Sequence, residues 1–355
     1  MAEKNIKSVL LEERTFPPPP EFAARARIKP EDAERLRRRA HEDHVGFWAE
    51  LAARELSWQR PFTQAFDDSE APNYRWFTDG RLNASVNCLD IHLQERGHKT
   101  ALIFEGEPGD VRRLSYRELH AEVCRFANAL KAQGVSRGDR VIIYMPLVPE
   151  IVIAMHACNR IGAIHSVVFG GFSAPALRDR IEDTEARLVI TADGGWRAGQ
   201  AVELKAAADK ALSAGCPSVQ RVIVLRRTGK PIAMQPGRDI WWHEAIDGHP
   251  PSCEPEWVDA EHPLFVLYTS GSTGKPKAYS TRPVAICCRR SSLRSGSSIC
   301  AMRTCSGARR MWVGLPATAT SPMGRSPWAR RCWYTKARRR FPMAAASGGI
   351  VRITA

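Results

Sequence analysis

Leu264-Phe-Val-Leu-Tyr268-Thr-Ser-Gly-Ser-Thr-Gly-Lys-Pro-Lys277 sets a short apolar run against a loop of glycines, hydroxyls and lysines. The run has the length and composition of a buried strand. The loop has the chemistry of an anion cradle. Gly271 and Gly274 let backbone amides turn inward, Thr269, Ser270, Ser272 and Thr273 supply hydroxyl donors, and Lys275 and Lys277 supply positive charge. It is not a Walker loop, because two residues rather than four separate the glycines and Pro276 follows the lysine. Composition alone leaves a plain polar surface loop as the alternative.

Upstream of that stretch, strand-like and helix-like runs alternate as they do in a parallel α/β sheet. Strands are predicted at 100–104, 141–144, 163–169, 188–191, 222–225 and 264–268. Ser115-Tyr-Arg-Glu118 is a capping box that opens a helix running to Gly134. Further helices are predicted over 148–161, 174–181 and 202–211, and residues 226–261 read as a polar connection. The first 97 residues read as an irregular leader without a sheet of its own. Phe16-Pro-Pro-Pro-Pro-Glu-Phe22 favours an extended form because consecutive prolines lack amide donors. From Pro30 a helical stripe of Leu36, Val45, Trp48, Leu51 and Leu56 follows, then a stretch of prolines and aromatics from Trp58 to Phe77, then a second helix over 83–95.

Charge divides the chain. The sequence has 52 Lys and Arg against 38 Asp and Glu, yet residues 279–355 hold fifteen of the bases and none of the acids. The excess charge of +14 therefore belongs to the tail, while the body is near neutral. No apolar stretch approaches the ~20 residues that span a bilayer, and Met1 to Arg14 has no signal-peptide core, so no membrane association and a cytoplasmic location are expected. Cys88, Cys124, Cys158, Cys216 and Cys253 show no CxxC spacing and read as reduced thiols. His41 and His44 would share a helix face, which reads as solvated rather than metal-binding, and no metal site is expected. Trp241-Trp242-His243 reads as core aromatics beside a histidine.

Thr269–Lys277 resembles the nucleotide loop of the AMP-forming adenylating enzymes, the superfamily of acyl-CoA synthetases, peptide-synthetase adenylation domains and luciferases. Trp76-Phe-x-Asp-Gly-x-Leu-Asn83-x-Ser85-x-Asn87-Cys88-Leu-Asp90-x-His92 and Val167-Val-Phe-Gly-Gly-Phe-Ser173 resemble segments of the acetyl-CoA synthetase branch and its propionyl-CoA relatives. The similarity runs from about Phe47 to Lys277. It implies the N-terminal part of an α/β large domain, with a parallel sheet flanked by helices. It implies ATP, Mg2+ and coenzyme A as cosubstrates and acetate as the acyl donor. Thr269, Ser270, Gly271, Ser272, Thr273, Gly274, Lys275 and Lys277 are then the expected ATP-binding residues. Gly194-Gly-Trp-Arg197-Ala-Gly199-Gln200 resembles the coenzyme A segment, where the family has two arginines three apart; Arg197 matches the first and Gln200 replaces the second. Gly170 and Gly171 are expected against the coenzyme adenine, with a tight strand-to-helix turn as the plainer reading. Propionyl-CoA synthesis and a non-catalytic nucleotide- or CoA-binding remnant are the alternatives.

The resemblance stops at Ala278. Tyr279-Ser-Thr-Arg-Pro-Val-Ala-Ile-Cys-Cys-Arg289 and the family continuation Val-Leu-His-Thr-Thr-Gly-Gly-Tyr-Leu-Leu can be written with one nucleotide string read one base apart. The tail is therefore expected to be frame-shifted and disordered, giving a leader (1–97), a partial AMP-binding domain (98–278) and a basic tail (279–355). A catalytically silent chain is expected, since the family's catalytic lysine lies in a C-terminal domain, and the strand at 264–268 is expected to lose pairing partners. A basic arm with Trp312, Trp328, Trp333 and Tyr334 would suit nucleic acid, but nothing in the body supports that partner.

Overall fold

The computed structural model describes residues 16–26, 28–269, 277–283 and 350–353. After the short α1 (Pro20–Ala24) come α2 (Pro30–Glu42) and α3 (His44–Glu55). They are two helices rather than one because Asp43 ends the first and caps the second, its Oδ1 accepting the Gly46 amide at 2.8 Å. His41 and His44 therefore lie on different helices, and the His44 ring sits edge-on to Trp48 and Trp76.

The leader does contain sheet, against expectation. β1 (Gln64–Asp67) and β2 (Arg75–Thr78) form an antiparallel pair, with Phe66 opposite Trp76 at 4.8 Å between ring centroids. Cross-strand aromatic contact supplies what the proline-rich composition hides. β3 (Arg81–Leu82) leads into α4 (Ala84–Cys88), a 3-10 turn at Asp90–His92 and α5 (Leu93–Arg96), so the single helix expected over 83–95 is broken into three short pieces.

β4 (Thr100–Glu105) and β5 (Val111–Ser115) form an antiparallel hairpin. The predicted capping box then opens α6 (Tyr116–Ala132): Ser115 Oγ accepts the Glu118 amide, and the Glu118 carboxylate accepts the Ser115 amide at 2.8 Å. Gly134, at φ +81°, closes it. The core layer follows as β6 (Arg140–Met145), α7 (Pro149–Arg160), β7 (Ile164–Phe169), α8 (Ala174–Thr184) and β8 (Leu188–Ala192). A small hairpin of β9 (Gly195–Arg197) and β10 (Gln200–Val202) precedes α9 (Leu204–Ser213) and β11 (Arg221–Leu225).

Residues 226–261 are more than a connection. They hold β12 (Asp239–Trp241), α10 (Trp242–Ile246) and β13 (Val258–Asp259), which pairs with β3. Trp242 is buried and stacks face to face on Phe126, centroids 3.7 Å apart, whereas Trp241 is half-buried and His243 exposed. β14 (Phe265–Thr269) and β15 (Lys277–Thr281) end the body, and β16 (Ile350–Ile353) lies antiparallel to β4. The disorder expected of the tail otherwise concerns residues outside the described ones.

The main sheet has the order β12-β11-β8-β6-β7-β14-β15, parallel except for the last pair. Alternate residues of β6 face opposite cores. Val141, Ile143 and Met145 pack with α6 and α7, whereas Ile142 and Tyr144 pack with α8 and α9. Both faces are thus covered, which is why these strands read as continuous apolar runs. β14 is paired unevenly: β15 pairs along all five of its residues, whereas with β7 the register holds a single pair, Phe265 with His165.

Candidate functional site

From β6 the chain moves to β7 on one side and then to β8 on the other. The loops leaving those two strands open a crevice beyond the C-terminal end of β6, the place where open α/β sheets bind ligands. Two glycine pairs line it. A Cβ on Gly170 would sit 3.0 Å from the Met145 carbonyl oxygen, and one on Gly195 2.8 Å from Pro146 Cβ. A Cβ on Gly171 would sit 2.6 Å from the Phe169 ring and 2.8 Å from Arg197 Nη1. Neither Gly170 nor Gly171 has a positive φ, so close approach rather than turn geometry requires glycine there.

Gly170, Gly171 and Arg197 are therefore brought together, with Arg197 Cζ 5.7 Å from the Phe169 ring centroid. Arg197 and Gln200 face each other across a two-residue turn in which Ala198 and Gly199 both have positive φ, at +52° and +75°. Spacing of three across such a turn puts both side chains on the same face. The Gly199 amide donates to Glu107 of the β4–β5 turn, which holds the tip of the hairpin. Sequence reasoning missed Asp193. Its buried carboxylate accepts the amides of Gly194, Arg227 and Gly229, each at 2.7 Å, and that of Thr228, tying the start of the hairpin to the loop after β11. An acid directly before Gly194-Gly195 was the available signal.

The second expected cluster begins at the end of β14. Thr269 and Lys277 are opposite each other in the β14–β15 ladder. Ser270, Gly271, Ser272, Thr273, Gly274 and Lys275 lie outside the described residues. Just before Thr269, Tyr268 donates its hydroxyl to Asp183, and burial with the Asp183 carboxylate raises the phenol pKa well above its usual value. Below, burial pushes the His165 imidazole down to about 3, with His156 adding repulsion, so it stays neutral against Phe265 at neutral pH.

A parallel sheet covered on both faces, with glycine-lined strand ends opening a crevice beyond β6, has the architecture of an open α/β ligand-binding domain. A family model described as AMP-binding enzyme matches residues 89–296, and the chain belongs to that family. A second model, acetyl-coenzyme A synthetase N-terminus, matches residues 33–88. Relatives called acetyl-coenzyme A synthetase include those of Methylobacillus flagellatus, 59% identical over 275 residues, and Thiobacillus denitrificans, 58% identical over 274 residues. The relative from Laribacter hongkongensis is 56% identical over 274 residues. Each alignment covers 77% of this chain and 42% of the relative, so the chain spans less than half the length of these curated relatives. Among the described residues no helix is long and apolar enough to cross a membrane.

Proposed function

We propose that the complete enzyme of which this sheet is part is an acetate–CoA ligase. Acetate attacks the α-phosphorus of ATP, giving acetyl-AMP and pyrophosphate. The thiol of coenzyme A then displaces AMP and forms the thioester. Mg2+ enters with ATP as substrate. In this reading Thr269, Ser270, Gly271, Ser272, Thr273, Gly274, Lys275 and Lys277 surround the triphosphate, and their work is positioning and neutralising charge as it moves onto pyrophosphate. Gly170 and Gly171 leave room for the coenzyme adenine, while Arg197 takes a phosphate with paired charged hydrogen bonds. The reaction is placed in the cytoplasm.

The observation that carries this reading is the convergence of Gly170, Gly171 and Arg197 at the crevice beyond β6, one strand away from the strand that feeds the lysine loop. Calorimetric titration tests both halves. Lys275→Ala is expected to weaken MgATP binding about tenfold or more, by removal of a charge-assisted contact. Unchanged binding would end the triphosphate assignment. Gln200→Arg is expected to tighten coenzyme A binding about tenfold, because the added guanidinium would stand beside Arg197 on one hairpin face. An affinity equal to that of the parent chain would remove the hairpin from the coenzyme site.

A further inference from the structure

Parallel strands β7 and β14 share a single register pair, Phe265 with His165, near their N-terminal ends. Four residues on, at Phe169 and Thr269, no ladder joins them, yet the segments expected to meet coenzyme and triphosphate leave from there. One side chain spans the gap. Arg180 of α8 is 7% exposed, and its Cζ lies 4.7 Å from the Phe172 ring centroid and 5.2 Å from that of Tyr268. Phe172 belongs to the turn after β7, and Tyr268 is the residue before Thr269.

We infer that Arg180 is a positioning residue whose guanidinium ties the turn after β7 to the end of β14, so that these two strand ends keep one relative placement. The inference rests on the function proposed above for what the segments leaving them bind, but the tie itself is a property of the described residues. Around it the contacts are consistent. Arg180 Nη1 donates to the Ala176 carbonyl of its own helix, which fixes the guanidinium from below. Tyr268 donates to Asp183, also on α8, and Tyr144 of β6 donates to the Phe172 carbonyl at 2.8 Å. Helix α8 thus grips both strand ends, and a planar cation is the group that can attract two aromatic faces at once. A lysine ammonium is a compact charge on a flexible stem and suits this double contact less well.

Hydrogen exchange read by mass spectrometry on segments 169–173 and 265–269 tests the tie in the whole chain. Phe172→Leu changes a 41% exposed side chain that touches the guanidinium, so folding should survive. It is expected to raise exchange in 265–269 about fivefold, although that segment lies across the gap. Arg180→Met should raise exchange in both segments, Arg180→Lys should restore only part of the protection, and Phe172→Leu added to Arg180→Met should change 265–269 no further. Unchanged 265–269 in Phe172→Leu would overturn the inference, as would additive effects in the double variant or loosening spread evenly over the sheet in Arg180→Met. Titration of the same chains with coenzyme A and MgATP is the second reading. Joint loss of both affinities in Arg180→Met supports the placement role. If the parent binds neither ligand, the assignment of both binding segments to this chain fails, and the exchange data still decide the tie.

Discussion

Asn83→Ala is expected to lower the unfolding free energy by about 2–4 kcal/mol, because it removes one helix cap and the bonds of a buried amide to three backbone carbonyls. Asn83 is fully buried. Its Oδ1 accepts the amides of Ser85 and Val86, capping α4, while its Nδ2 donates to the carbonyls of Asn159, Arg160 and Glu256 at 2.9, 3.2 and 2.8 Å. The first two carbonyls lie at the end of α7, where they also accept the amides of Gly162 and Glu256, so the Asn83 amide adds a further donor to each. A single side chain thus starts one helix, ends another and holds the segment before β13. Asn83→Ser keeps a capping oxygen but loses the amide donors, so it should recover only about 1 kcal/mol. Urea unfolding checks both: a midpoint within error of the parent for Asn83→Ala, at unchanged slope, would show that water replaces the amide.

The same residue shows where the sequence was readable and where it was not. Strands β6, β7, β8 and β11 were legible because a sheet covered on both faces favours predominantly apolar runs, even with His165 and Ser166 buried in β7, and Ser115 with Glu118 announced α6 by a local rule. The leader was not legible in that way. Its β1–β2 pair depends on Phe66 meeting Trp76 ten residues away, and β3 bridges Arg60 but finds its partner strand at Val258 and Asp259. Asn83, Asn87 and Asp90 were visible only as a family pattern. The structure gives them a physical role as clasps: Asn87 exchanges hydrogen bonds with the backbone of Ser57 at 2.8 and 3.0 Å, much as a neighbouring strand would. At the candidate site, the resemblance set Arg197 and Gln200 three apart, but the positive φ values of Ala198 and Gly199 that put them on one face of a hairpin were not visible. Asp193 and Arg180 were missed for a common reason. Each acts through groups distant in sequence, and no local spacing rule reports such contacts.

Asp90→Asn is expected to cost about 3–5 kcal/mol and to change the shape of stability against pH, because it leaves a buried guanidinium facing a neutral amide. The Asp90 carboxylate holds Arg160 through two bonds, Nη1 to Oδ2 at 2.9 Å and Nη2 to Oδ1 at 3.0 Å, and the Arg160 side chain is only 5% exposed. His120 approaches the same carboxylate, Nε2 to Oδ1, at 3.3 Å, and the Cys124 sulfur lies 3.6 Å from that nitrogen. Burial pushes the Asp90 carboxyl up, but the hydrogen bonds from His120 and Arg160 and their charges outweigh it and hold the group well below the usual carboxylate range. The hydrogen bond to Asp90, then that to Cys124, raises His120 to about 9 against the opposing pull of burial. The signs follow from which state binds protons more tightly. Folded His120 keeps its proton above the pH where an unfolded histidine gives it up, so its contribution is complete below about 6.5 and fades as pH rises through about 9. Asp90 contributes above about pH 4 and loses its contribution as pH falls further. The parent chain should therefore be flattest in stability between those limits, with a decline from pH 6.5 to 9 that is much reduced in Asp90→Asn, where only the Cys124 contact remains. His120→Gln separates the two effects, since it removes the alkaline decline while leaving Arg160 paired. Denaturation midpoints measured from pH 5 to 9.5 decide the matter. An alkaline slope as steep in Asp90→Asn as in the parent would mean that His120 does not draw its proton affinity from this carboxylate, and the clasp would then consist of Asp90 and Arg160 alone.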